Sequence, residues 1–174
     1  MTQAIAVVGP TASGKTALAL ELAERLGTEI ISADSMQFYR GMEIGTAAPT
    51  PEERARVPHH FVGFLAPDEE MAAGMFGCLA REVVDALNRR GKPAVIVGGS
   101  GLYISALIDS LFEGPAKDET IRKRLKDEAK EHGNASLYAH LQEVDPDYAS
   151  ILSSENDLVR VVRALEVYEL TGEP

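Results

Sequence analysis

Residues 9–16 read GPTASGKT, and Gly9, Gly14, Lys15 and Thr16 fill the pattern G-x-x-x-x-G-K-[ST]. A loop of this kind turns its backbone N–H groups, and the positive end of the helix that follows, toward an anion. Gly9, Pro10, Thr11, Ala12, Ser13, Gly14, Lys15 and Thr16 are therefore read together as a loop that holds a diphosphate or triphosphate. Lys15 would reach the terminal phosphate, and the Thr16 hydroxyl would hold Mg²⁺. Average residue frequencies put the chance occurrence of the pattern below about 1% in a chain of this length. The bland alternative is a glycine turn beside an exposed lysine.

A phosphate loop does not fix a reaction, because kinases, hydrolases and transferases share it. Asp34 closes a short apolar segment, where ligands sit in open α/β sheets, and could hold Mg²⁺ or accept a proton as general base. A helix or turn cap is the competing role. Ser100 stands in a second glycine turn, GGSG at 98–101, directly after another apolar run. The four histidines, His59, His60, His132 and His140, lack metal-ligand spacing, and no Ser/His/Asp set can be assembled. Cys78, the single cysteine, sits at helical spacing among apolar residues and reads as a small core residue.

The elements that must position these groups alternate. Residues 3–8 read as a buried strand, 15–26 as a helix stopped by Gly27, and 29–33 as a second strand. Residues 35–49 read as irregular loop, and Thr50-Pro51-Glu52-Glu53 as a capped helix start. A short strand is expected at 60–65, a helix at 71–90, a central parallel strand at 93–97, and a helix from Gly101 to about Leu111. Beyond that point no strand is found, and 118–131, 135–144, 146–152 and 156–170 all read as helices. The expected fold is α/β, a P-loop NTPase-like parallel sheet flanked by helices, with a mainly helical extension. The division falls at 1–112 and 113–174, with 112–117 as the joint.

At 174 residues, 45% of them apolar and 25% charged, the chain is long enough to bury a core and ordinary in composition. Its apolar runs fall far short of the ~20 residues a membrane span needs, and no signal peptide is evident, so a cytoplasmic monomer is expected. The net charge of −10 opposes a polyanionic partner. The balance reverses locally in residues 117–126, KDETIRKRLK, where basic residues outnumber acidic ones. That segment is either a solvated helix face or a phosphate-contacting one.

Five motifs then combine: GPTASGKT at 9–16, ISADSMQFYRGMEIGTA at 31–47, PHH at 58–60, VGGSGLY at 97–103 and RALEVYELTGEP at 163–174. In that order and spacing they resemble the N-terminal part of the tRNA dimethylallyltransferase, or tRNA isopentenyltransferase, family over essentially the whole chain. The resemblance implies transfer of a dimethylallyl group from dimethylallyl diphosphate to N6 of the adenosine adjacent to the anticodon in tRNA, with Mg²⁺ as cofactor. It implies catalytic roles for Asp34 as base, for Lys15 on the leaving diphosphate and for Ser100. It further implies contacts with the tRNA anticodon stem-loop from Asp34, Ser35, Met36, Gln37, Ser100, Arg122, Val159, Arg160, Val161, Val162 and Arg163. Ser100 replaces the family's usual Thr, Ala48 its usual Lys, and Leu158-Val159 its usual Pro-Gln. Family members also continue well beyond the closing TGEP, so the chain is expected to be truncated relative to them. Prenylation of free adenine nucleotides and phosphoryl transfer to a small metabolite are the alternatives.

Overall fold

A computed structural model describes residues 3–110 and 114–174, apart from the Ser110 side chain. The chain divides into two compact units, Met1–Phe112 and Glu113–Pro174.

The first unit is built on a parallel sheet of four strands, β1 (Ala4–Val8), β2 (Ile30–Ser32), β3 (His59–His60) and β4 (Ala94–Gly98), in the order β1-β4-β2-β3. Helix α1 (Lys15–Leu26) connects β1 to β2, α2 (Pro51–Arg56) precedes β3, and α3 (Ala73–Arg89) leads into β4. Because β4 lies between β1 and β2, every residue of AVIVG is buried, as its unbroken apolar run predicts. One face of the sheet packs Ala19, Leu20 and Ala23 of α1 on Ile30, Val95 and Val97. A second core gathers Ile31 and Ile96 with Phe76, Ala80, Val84 and Leu87 of α3.

Several expectations need correction. β1 is an edge strand with Ile5 and Val8 exposed, not a buried one, because β4 covers only one of its sides. Residues 35–49 are not wholly irregular: Ser35–Phe38 form a 3₁₀ turn. The strand expected at 60–65 shrinks to His59–His60, with one isolated bridge between Tyr39 and Leu65. The helix after the glycine turn is α4 (Gly101–Ser105), which widens into a π-helical stretch at Ala106–Ser110; Leu111 lies outside the described residues. Cys78 is exposed, since α3 turns Phe76, Gly77, Ala80, Val84 and Leu87 inward.

The second unit consists, among the described residues, of helices α5 (Glu119–His132), α6 (Asn134–Val144), α7 (Pro146–Ile151) and α8 (Leu158–Thr171). Three of these four begin at a capping aspartate. Asp118 accepts from the Thr120 and Ile121 N–H groups, and Asp145 accepts from Tyr148 ahead of Pro146. Gly172, with φ of 74°, ends α8 in the left-handed conformation that glycine adopts without strain. Leu125, Leu137, Leu141, Val161, Val162 and Leu165 form the core of this unit.

Candidate phosphate and proton-transfer site

The passage from β1 to α1 is a strand, a glycine loop and a helix, a geometry suited to an anion. Gly14 takes φ of 81° at the N-cap of α1, and no side chain caps that helix end. The first-turn N–H groups of a helix have no intrahelical partner, so an uncapped end is open to an anion. Ala12 also holds a positive φ, 64°, which is unfavourable for a residue with a Cβ and fits a loop whose shape serves a ligand. The Lys15 Nζ donates to the Pro10 carbonyl at 3.0 Å, folding the ammonium back over the loop. Thr16 follows, half-buried.

Two glycines of the second turn explain how β4 brings its end to this loop. A Cβ on Gly98 would stand 2.3 Å from the Ala33 carbonyl oxygen, so only glycine allows the passage there. A Cβ on Gly99 would stand 3.2 Å from the Gly9 carbonyl oxygen and 4.0 Å from the Lys15 Nζ. Ser100, next in line, accepts at Oγ from the Ser35 N–H at 3.4 Å, which links the glycine turn to the segment that carries Asp34.

Asp34 is half-buried at the N-cap of the 3₁₀ turn, where its Oδ1 accepts from the Met36 N–H at 3.1 Å. The cap role and a chemical role are compatible, because that bond fixes the carboxylate through one oxygen and leaves Oδ2 for a substrate proton. The turn is itself held from below: Phe38 is fully buried, stacked on Phe76 at 5.4 Å and edge-on to Tyr103 at 5.4 Å. Gln37 accepts from the Ser32 hydroxyl at 3.0 Å and donates to the Thr46 and Ala47 carbonyls at 3.4 and 3.3 Å. Its amide therefore ties the following loop to the sheet. Met36, by contrast, is exposed.

Lys15, Thr16, Asp34 and Gln37 line one narrow cavity, together with Ala12, Ala47 and His59. A wider, more open depression shares Ala47, Pro49 and His59 with it and continues over Ile44, Thr50 and Arg54. The narrower space is the one lined by the ammonium, the hydroxyl and the carboxylate. His59 stands out among its linings as a residue to which the sequence assigned no role. Its Nδ1 lies 2.7 Å from the Val57 carbonyl, which requires the proton on Nδ1 and leaves Nε2 as the acceptor in the neutral ring. Burial pushes the His59 pKa below its usual value, against the opposing pull of that carbonyl. Its place in the PHH motif was the available signal.

The residues of the second unit that were expected to touch tRNA divide. Val161 and Val162 are 0% and 3% exposed, so within that segment their side chains point into the core. Helical periodicity turns them inward beside Leu165. Val159 is exposed, and Arg160 pairs with Asp157 at 2.7 Å. Arg122 bridges both oxygens of Glu166 at 2.8 and 2.9 Å, and Arg163 donates to the same carboxylate at 2.7 Å.

The sequence profile described as IPP transferase matches residues 37–174. The chain belongs to the IPP transferase family. It is 52% identical over 173 residues to the tRNA dimethylallyltransferase of Geobacter metallireducens, covering 99% of this chain and 56% of that protein. Among solved structures it resembles the full-length tRNA isopentenylpyrophosphate transferase of Bacillus halodurans, with a TM-score of 0.64 and 41% identity over 100% of this chain and 57% of the other. It also resembles a eukaryotic dimethylallyltransferase acting on tRNA, with a TM-score of 0.79 and 29% identity over 99% of this chain and 43% of the other. The four-stranded parallel sheet with its flanking helices is thus the P-loop NTPase-like core of an IPP transferase, and the chain spans about half the length of the curated relatives it matches. No helix among the described residues is long and apolar enough to cross a membrane.

Proposed function

We propose that the chain carries the donor-binding and proton-accepting part of a tRNA dimethylallyltransferase, a cytoplasmic enzyme that modifies the adenosine beside the anticodon. The reading rests on one observation: Lys15, Thr16 and Asp34 line a single cavity at the uncapped end of α1 in a member of the IPP transferase family.

The chemistry follows from those groups. The adenine N6 forms a bond to C1 of the dimethylallyl group while the bond from C1 to the diphosphate oxygen breaks. The diphosphate leaves with that electron pair, and the N6 proton passes to Asp34 Oδ2. An exocyclic adenine amine is a weak nucleophile, so a positioned carboxylate lowers the barrier. Lys15 and the α1 N–H groups stabilise the charge that grows on the departing oxygen. Thr16 offers the hard oxygen that Mg²⁺ prefers, beside the diphosphate it would accompany. Bound there, the ion would neutralise the leaving group further. Ser100 supports the site by fixing the Ser35 N–H next to Asp34.

Contacts with the anticodon stem-loop are assigned to Ser35, Met36 and Gln37 in the first unit and to Arg122, Val159, Arg160 and Arg163 in the second. The Gln37 side chain is engaged with Ser32, Thr46 and Ala47, so its part is to hold the loop rather than to read a base. The test is incubation with dimethylallyl diphosphate, Mg²⁺ and an unmodified anticodon stem-loop, followed by mass measurement of the RNA. Gain of one dimethylallyl unit on the adenosine supports the reading. Transfer of a γ-phosphate from ATP to a small acceptor, with no prenylated RNA, would replace it with a kinase.

A further inference from the structure

Glu166 is the only charged residue among the described residues whose side chain is fully buried. Its carboxylate collects four donors. Oε1 accepts from the Asp118 N–H at 2.6 Å and from Arg122 Nε at 2.8 Å, and Oε2 accepts from Arg122 Nη2 at 2.9 Å and from Arg163 Nη1 at 2.7 Å. Arg163 is anchored a second time, through Nη2 to the Pro115 carbonyl at 2.9 Å. The two arginines cover the carboxylate, and their side chains remain 28% and 37% exposed.

Packing does not require this arrangement. Leu125 of α5 and Val162 and Leu165 of α8 already belong to a shared apolar core, and apolar residues of equal volume commonly stabilise a buried position as well as an ion pair does. What the carboxylate adds is order in the arginines. A free arginine must surrender its rotamer freedom on binding, whereas one clamped on two sides has lost it beforehand. Planar guanidiniums held in that way suit the oxygens of a phosphodiester.

We propose that Glu166 is a positioning residue for RNA binding, which holds Arg122 and Arg163 in the orientation that receives backbone phosphates of the tRNA. The proposal rests on the tRNA reading above and adds the residue through which these arginines act.

The charge of Glu166 makes the test a matter of sign. Glu166→Gln removes a negative charge beside two phosphate-directed cations, so charge alone predicts tighter RNA binding. Positioning predicts weaker binding, by about fivefold to tenfold, with the slope of log affinity against log salt shallower by about one. Fluorescence anisotropy of a labelled anticodon stem-loop with the full 174-residue chain, across a salt series, reads both quantities. Arg122→Lys is the second variant: it keeps the charge and loses the two-point bridge, so it should weaken binding comparably. Circular dichroism identifies any variant that fails to fold, in which case the other carries the test. Binding by Glu166→Gln or Arg122→Lys that equals or exceeds that of the unaltered chain would overturn the proposal. If the unaltered chain shows no salt-dependent RNA binding, the tRNA reading falls and the proposal with it. If it binds and only the variants behave as wild type, the proposal alone falls.

Discussion

The phosphate cavity of the first unit and the arginine cluster of the second treat their charges in opposite ways. At the cavity, the α1 N–H groups have no side-chain cap and Lys15 rests on a single backbone carbonyl. In the helical unit, Arg122, Arg163, Arg124 and Arg160 all pair with carboxylates of their own unit, respectively Glu166, Glu166, Glu169 and Asp157. Polar groups that a fold leaves unsatisfied at a helix end are available to a ligand at little cost, whereas paired ones contribute first to the fold. Removing a group of the first kind should therefore cost binding and spare stability. Removing one of the second kind should cost stability, the more so the more deeply its carboxylate partner is buried.

The largest effect is expected from Lys15→Ala. It should lower the affinity for dimethylallyl diphosphate by about a hundredfold or more, as loss of a charge-assisted contact to a diphosphate does in a shielded site, and leave the melting temperature nearly unchanged. Calorimetric titration and a thermal melt measure the two. A fall in stability of comparable size would break the contrast by making Lys15 part of the fold.

Glu166→Ala should behave in reverse, costing about 2–4 kcal/mol of stability by leaving two arginines without their common partner. Denaturant unfolding followed by helical circular dichroism would show it, while donor binding stays within about twofold. The same carboxylate predicts an acid response. Burial would raise its pKa, but the hydrogen bonds from Arg122 and Arg163 and from the Asp118 N–H hold it down to about 2, against an ordinary 4.5. A carboxylate whose folded value is depressed contributes stability that is fully present above the unfolded value and lost as the pH falls through the folded one. The contribution should thus be intact above about pH 4.5 and decline toward pH 2. Glu166→Gln should flatten that part of the profile.

Gly98→Ala should cost about 1–3 kcal/mol, since its Cβ would overlap the Ala33 carbonyl and the backbone would have to separate β4 from the Asp34 segment. The smallest effect, under about 0.5 kcal/mol, is expected from Arg160→Ala, whose partner lies within the same exposed helix start.

The sequence made the alternating elements legible because their signals are local. The G-x-x-x-x-G-K-T loop, the Thr50 and Glu53 capping box, Asp118 and Asp145 at helix starts and Gly27 and Gly172 at helix ends each act within a few residues. Features that depend on distant partners were not legible. That β1 would lie at an edge depends on strand order, which no property of AIAVV reveals. Phe38 is one aromatic residue within the 31–47 motif, and its place in the core appears only once Phe76 and Tyr103 close around it. Arg122 and Glu166 stand far apart in sequence, so the pairing of a basic segment with the carboxylate of RALEVYELTGEP appears only once α5 and α8 are packed.

The account turns on separate duties for Lys15 and Asp34 in one cavity, and titration of dimethylallyl diphosphate with Mg²⁺ into Lys15→Ala and Asp34→Ala addresses it most directly. Binding should be lost in Lys15→Ala and preserved within about threefold in Asp34→Ala, since a base directed at the acceptor amine contributes little to holding the donor. Equal loss in both would contradict the account and make Asp34 a part of the diphosphate and metal site.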